Sequence, residues 1–102
     1  MAKLIALYNR PADAQAFDGY YFAKHVPLAK TIPGLRRYEV SAGPVTAEQG
    51  ESPFHLAAIL SFDTMRELED GLNSPQGQQT AADLANFAGA GVEVLTFESR
   101  DV

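Results

Sequence analysis

Residues 17–38, FDGYYFAKHVPLAKTIPGLRRY, constrain the fold of this chain more than any other stretch, because they hold both an aromatic-rich helix and the turn that ends it. At about 100° per residue, the pitch of an α-helix, Ala14, Phe17, Tyr21, His25 and Leu28 fall on one stripe. That stripe faces the interior and takes His25 with it. Asp13, two residues after Pro11, is the expected N-cap, since its carboxylate can accept an orphan amide proton of the first turn. Pro27 has no amide proton and disfavours α geometry at Val26, so the helix is expected to end or kink close to His25. A histidine there meets two opposed effects: the helix C-terminus favours imidazolium, and burial against Phe17 and Leu28 favours the neutral ring. Pro33-Gly34 then turns the chain into a strand that starts at Leu35, with Gly34 expected at positive φ.

At 102 residues and 46% hydrophobic content, the chain is read as one domain, residues 1–102, able to bury roughly two-thirds of its unfolded surface. There are no cysteines, which excludes disulfides, thiolate metal sites and cysteine nucleophiles. The net charge is -5, and the basic residues are scattered apart from Arg36-Arg37, which argues against nucleic acid or an anionic membrane as partner. No apolar run reaches the length of a membrane span, and the opening MAKLIALYNR enters a strand pattern too early for a signal peptide. The cytoplasm is the expected compartment.

Taken in order, residues 3–9 form a strand that is apolar on both faces, and the helix described above follows. Residues 35–42 alternate as a second strand, and Arg37 and Glu39 suggest that it lies at an edge. Residues 43–53, GPVTAEQGESP, read as an exposed loop. Residues 54–62, FHLAAILSF, are apolar except for His55 and Ser61, as in a central strand. Thr64 opens a second helix with a capping-box spacing to Glu67 and an apolar set of Met65, Leu68 and Leu72, ending near Ser74-Pro75. A further helical piece, residues 78–88, buries Ala81, Leu84, Phe87 and Ala88, and residues 91–100 close the chain as a fourth strand.

The order β-α-β-β-α-β is the ferredoxin-like pattern: an α+β fold in which a four-stranded antiparallel sheet carries its helices on one face. Such a sheet standing alone shows water one polar face. Here Ile5, Leu7, Ala57, Ile59, Leu95 and Phe97 supply a second apolar set, so a second copy is expected to cover the open face in a two-fold, face-to-face homodimer.

The run FDGYYFAKHVPLAKTIPGLRRYEV, with Tyr21, His25, Pro27, Leu28, Pro33, Gly34, Leu35 and Tyr38, resembles the EthD family of the dimeric α/β-barrel superfamily. The stretch SPQGQQTAADLANFAGAGV, with Ser74, Pro75, Gly77, Asp83, Leu84, Phe87 and Gly91, is similar to the family's other characteristic segment. The resemblance spans nearly the whole chain and implies a ferredoxin-like domain paired into a dimeric α/β barrel. The family is named for a protein encoded with an ether-degrading cytochrome P450 system. The wider superfamily implies small cofactor-free monooxygenases, muconolactone-type isomerases and polyketide cyclases, and fold alone does not choose among them.

For chemistry, His25 is the leading candidate, because an imidazole in an apolar cleft can exchange a proton near neutral pH, and Tyr21, one turn earlier, can hold a substrate oxygen. The alternative is a helix-end histidine that only satisfies a nearby carbonyl. The third strand is read as running parallel to the first, which would bring His55 to the same end of the sheet as His25. An outward-pointing strand-start residue is the preferred reading of His55, and a two-histidine metal site lacks a third ligand. Tyr8 and Tyr38, with Tyr20 and Phe22, could line a pocket for an apolar or aromatic ligand, although aromatics at these spacings are usually core. Asp83 could orient a polar group or simply face solvent, and Asp18 lies on the wheel near His25 but two turns away. GxSxG, HExxH, P-loop and GxGxxG motifs are all missing, so no cofactor and no metal are expected. The expected function is a small cofactor-independent enzyme for an apolar or phenolic molecule, of proton-transfer, isomerase, cyclase or oxidoreductase type, with His25 and Tyr21 catalytic and Tyr8, Tyr38, His55 and Asp83 binding the ligand. The alternatives are a non-catalytic accessory protein for a degradative oxygenase and a purely structural dimer.

Overall fold

Along the first strand of the computed structural model, which describes residues 1–102, Ala2, Leu4, Ala6 and Tyr8 are buried and the residues between them half-buried. This strand, β1 (Ala2–Asn9), leads into α1 (Ala14–Tyr20), a π-helical segment (Tyr21–His25) and α2 (Val26–Ala29), which together form one continuous helical run. There follow β2 (Leu35–Val40), a small hairpin of β3 (Thr46–Ala47) and β4 (Gly50–Glu51), and β5 (Phe54–Phe62). Then come α3 (Met65–Asn73), α4 (Pro75–Asp83), a 3-10 turn (Leu84–Asn86) and β6 (Val92–Glu98). The main sheet has the order β2-β5-β1-β6 with every neighbour antiparallel, so β5 is central and β2 lies at an edge, as expected.

The helices pack on the face that carries Leu4, Ala6 and Tyr8 of β1 and Leu56, Ala58, Leu60 and Phe62 of β5, and against these they bury Phe17, Tyr21, Ala29, Ile32 and Leu68. No helix is long and apolar enough to cross a membrane.

Several expectations are corrected. The strand that opens at Phe54 is antiparallel to β1, not parallel to it, because the hairpin from β2 reverses the chain before β5 begins. Residues 43–53 are not wholly loop: they fold the β3-β4 hairpin, fixed by the buried Ser52, whose hydroxyl donates to the Val45 carbonyl at 2.7 Å. The last helical piece starts earlier, at Pro75, because Ser74 caps it by accepting from the Gly77 amide at 3.0 Å and Pro75 suits the first helical position. Gly77 admits no side chain, since a Cβ there would run into the carbonyls of Gly71 and Leu72. The last strand is the shorter Val92–Glu98.

The largest correction concerns the first helix. It neither ends nor breaks at His25; it widens into a π turn, with the Val26 amide donating five residues back to Tyr21, and runs on to Ala29. In an α-helix the Pro27 ring would press on the carbonyl four residues earlier, and a wider turn relieves that contact. The π turn also explains which residues are buried. Phe17, Tyr21, His25 and Ala29 are spaced by four throughout. Each step of four advances about 40° in a regular α-helix, so the row would drift off the core. Widening cancels the drift and puts Ala29, rather than the half-buried Leu28, on the inner row, while Ala14, at the start of α1, is exposed.

On the opposite face, Ile5 pairs with Ile59 on one side and Leu95 on the other, and Lys3 pairs with Phe97. Leu95 remains 49% exposed and Phe97 44% exposed. Lys3 donates its ammonium to the buried Ser61 hydroxyl at 2.9 Å.

The turn into β2 depends on Gly34, which has φ +83° and stands beside Glu67 and Phe62. A β-branched side chain resists this backbone geometry, so Gly34→Val is expected to lower stability by about 1 to 3 kcal/mol. A thermal melt checks this, and an unchanged midpoint would show that the turn tolerates a side chain.

Candidate functional site

Between the first helical run and the sheet lies a cavity of about 190 Å³. Its floor is Leu4 and Ala6 of β1 with Ala58 and Leu60 of β5, and Thr80 and Ala81 of α4 and Val94 of β6 form its outer wall. The side chains that bring polar atoms to it are few: His25, Tyr8, Tyr21, Tyr38 and Thr80.

His25 is 4% exposed. Its Nδ1 lies 2.9 Å from Asp83 Oδ2, and its ring sits 4.6 Å from that of Phe87, centroid to centroid. Asp83 also accepts from the Tyr20 hydroxyl at 2.6 Å and from the Asn86 side-chain amide at 3.0 Å. Burial alone would push the Asp83 carboxyl up, but the hydrogen bonds from Tyr20, Asn86 and His25 outweigh it and hold the group below the usual carboxylate range. An ionised carboxylate can only accept, so Nδ1 carries the proton. Nε2 makes no hydrogen bond to the protein, yet no buried side-chain nitrogen or oxygen is both enclosed and unpartnered. Nε2 therefore keeps surface open to the cavity that its ring lines.

Three tyrosines share this space. The hydroxyls of Tyr21 and Tyr38 are hydrogen-bonded to each other at 2.6 Å, so Tyr21 reaches the cavity as half of a bonded pair. Tyr8, 3% exposed, stacks its ring edge-on against Phe17 and Tyr21, and its hydroxyl stands beside that of Tyr21 without a hydrogen bond of full geometry. Burial raises the phenol pKa of all three and keeps them neutral donors. The phenol of Tyr20 is raised by a different cause, its bond to the Asp83 carboxylate.

The structure separates residues that the sequence had grouped. Asp83 does not line the cavity; it stands behind His25 and fixes the ring, because α4 presents it to the helix that carries His25. Asp18 bonds the other histidine, its Oδ1 lying 2.7 Å from His55 Nε2. His55 is not beside His25, because antiparallel β5 starts at the end of the sheet near the beginning of α1. Nor does it point outward. The register shifts between Tyr8↔Leu56 and Asn9↔Phe54, and this bulge turns His55 toward α1, where it meets the Phe17 ring edge-on at 5.2 Å. There it lines a separate, more open groove with Arg10, Asp18, Phe22 and Ser41. Phe22 is half exposed and outside the first cavity. No three His, Asp or Glu side chains converge as metal ligands. Sequence reasoning missed the roles of Tyr20 and Asn86 in holding Asp83, although the three-residue step from Asp83 to Asn86 on a helix end was a usable signal.

The His25–Asp83 pair has a pH signature. Because the folded pKa of Asp83 is lowered, its stabilisation is fully present above the unfolded value of about 3.9 and is lost as pH falls through the folded value. Asp83→Asn is expected to reduce stability by about 1 to 3 kcal/mol at neutral pH, where it leaves Tyr20 and His25 with a weaker acceptor. That difference should shrink below about pH 4. Thermal melts of both proteins from neutral to acidic pH check it, and a difference independent of pH would show that Asp83 is not held ionised.

The EthD domain pattern matches residues 9–91. An uncharacterised 11.0 kDa protein from the thcB-thcC intergenic region of Rhodococcus erythropolis is 41% identical over 103 residues, covering 100% of this chain and 98% of the relative. The crystal structure of an EthD family protein from Bacillus halodurans C-125 superposes with a TM-score of 0.89 at 38% identity, covering 98% of this chain and 99% of the other. A dimeric ferredoxin-like protein of unknown function from Thermobifida fusca YX shares the fold, with a TM-score of 0.68 at 16% identity over 94% of this chain and 88% of its own. A domain pattern spanning most of the chain and a full-length relative at this identity place the protein in the EthD family.

Proposed function

We propose that this EthD family chain is a small cofactor-independent enzyme that moves a proton on an apolar or phenolic small molecule held between the first helical run and the sheet. One observation carries the reading: a buried histidine has one nitrogen locked by a carboxylate and the other open to an apolar cavity. The bond from Nδ1 to Asp83 leaves the Nε2 lone pair facing the ligand and stabilises the imidazolium that forms when Nε2 takes a proton. In this reading His25 is the acid or base. Tyr21 acts through Tyr38, holding that hydroxyl at the wall, and Tyr8 and Tyr38 meet the ligand's polar atoms. The apolar floor excludes water and so strengthens each of these contacts.

The exchange of an α-carbon proton in a small enolisable phenyl ketone tests the reading, followed by proton NMR in deuterated buffer. The native protein should accelerate exchange and His25→Ala should lose about 10²- to 10⁴-fold of that acceleration while keeping its fold by circular dichroism. Binding of the ketone without His25-dependent exchange would leave an accessory binding protein instead.

The same reading includes a homodimer, with a second copy covering Ile5, Ile59, Leu95 and Phe97 on the open face. The dimeric protein of the same fold from Thermobifida fusca supports it. Light scattering should give twice the 11.0 kDa chain mass, and Ile59→Asp should give the monomer; a native monomer at micromolar concentration would overturn it.

A further inference from the structure

Within the cavity, two polar atoms are left over by the protein's own hydrogen bonding, and they differ in kind. In the neutral ring Nε2 of His25 is the acceptor, because Nδ1 keeps its proton on Asp83. The Tyr8 hydroxyl makes no hydrogen bond of full geometry: it stands beside the Tyr21 hydroxyl, which is already bonded to that of Tyr38, so its own proton can turn to a ligand. Both side chains are more than nine-tenths buried, at 4% and 3% exposure, and neither atom is sealed in, so both open to the same space. A buried polar atom left unpaired costs free energy, and a ligand that pairs it recovers that cost.

Charge narrows the choice further. No lysine or arginine lines the cavity, and an ionised carboxylate stands directly behind His25. An anionic ligand would lose its hydration and find no basic side chain to compensate that loss. The remaining wall is apolar, and a cavity of about 190 Å³ compares with the roughly 150 Å³ of a dry cavity that holds benzene.

We propose that the ligand is an uncharged single-ring hydroxy-ketone recognised at two points, its hydroxyl donating to His25 Nε2 and its carbonyl accepting from the Tyr8 hydroxyl. This deepens the proton-transfer reading and rests on it, because the hydroxyl seated on Nε2 is the group whose proton His25 would take. Where hydroxyl and carbonyl are conjugated through the ring, as in a 4-hydroxy isomer, the ketone would then draw the resulting negative charge toward the Tyr8 donor. No oxidant is needed for that step: the O–H bond breaks, its proton passes to Nε2 and its electron pair stays with the ligand.

NMR titration with 3- and 4-hydroxyacetophenone, against phenol, acetophenone and 4-hydroxybenzoate, tests the proposal. The better hydroxyacetophenone isomer should bind about tenfold more tightly than phenol or acetophenone, the ratio given by roughly 1.4 kcal/mol. The benzoate should bind more weakly than phenol. Tyr8→Phe, which keeps the ring and removes only the hydroxyl, should bring the hydroxy-ketone down to the affinity of phenol and leave phenol itself unchanged. Equal affinities across the series, preference for the carboxylate, or an unaltered hydroxy-ketone affinity in Tyr8→Phe would each overturn two-point recognition. Any of these with His25-dependent exchange intact leaves the proton-transfer reading standing, and loss of that exchange strikes the proton-transfer reading itself. Should Tyr8→Phe fail to fold, the affinity series on the native protein decides.

Discussion

The bond from His25 Nδ1 to Asp83 joins two segments that are 58 positions apart in the chain, and the cavity's chemistry depends on it. It fixes the ring's tautomer, turns Nε2 toward the apolar space and draws α4 against the first helical run. Asp83 can do this because it is itself held from two further sides, by the Tyr20 hydroxyl and the Asn86 amide. Three donors converge on one carboxylate, which is why its proton is lost so readily despite burial. The ring it holds is further confined by Phe87 and Tyr21, so His25 is fixed in direction as well as in tautomer.

The π turn is the second constraint, and it acts through geometry. Pro27 would ordinarily stop the helix, and a helix stopped at His25 would leave that residue at a frayed end, exposed to water. Widening the turn lets the helix pass Pro27 and carries Phe17, Tyr21, His25 and Ala29 down one line into the core. Only the small Ala29 follows His25 on that row, and the space it leaves unfilled is part of the cavity. One backbone irregularity thus produces both a buried histidine and room beside it.

The two histidines show how similar local chemistry is placed in different surroundings. Each is bonded to one aspartate, at 2.9 Å for His25 and 2.7 Å for His55. His25 and its partner are almost wholly buried, with side chains 5% and 10% exposed, whereas those of His55 and Asp18 are 23% and 49% exposed. In the low dielectric of the first pair the hydrogen bond is strong and the free nitrogen faces an apolar space; at the second, water competes for every contact. The bulge that turns His55 inward ties the start of β5 to α1.

Local patterns in the sequence by themselves determined the order of the four main strands and the helices between them, the edge place of β2, the positive φ of Gly34 and the inward direction of Tyr21 and His25, because each follows from residues within a few positions of one another. The caps at Asp13 and Thr64 were legible for the same reason. The second apolar face of the sheet was also legible, since alternation along a strand needs no knowledge of its neighbours. Only the tertiary structure decided which aspartate meets which histidine. On the wheel Asp18 was the nearer candidate for His25, and Asp83 in its small, apolar helix gave no sign of a partner far away in the chain. The direction of β5 and the bulge at His55 were equally hidden, because strand pairing and register are set by contacts between segments distant in sequence. Whether Pro27 would break the helix or widen it was decided by packing, since burying Phe17, Tyr21, His25 and Ala29 against the sheet outweighs the local preference to stop.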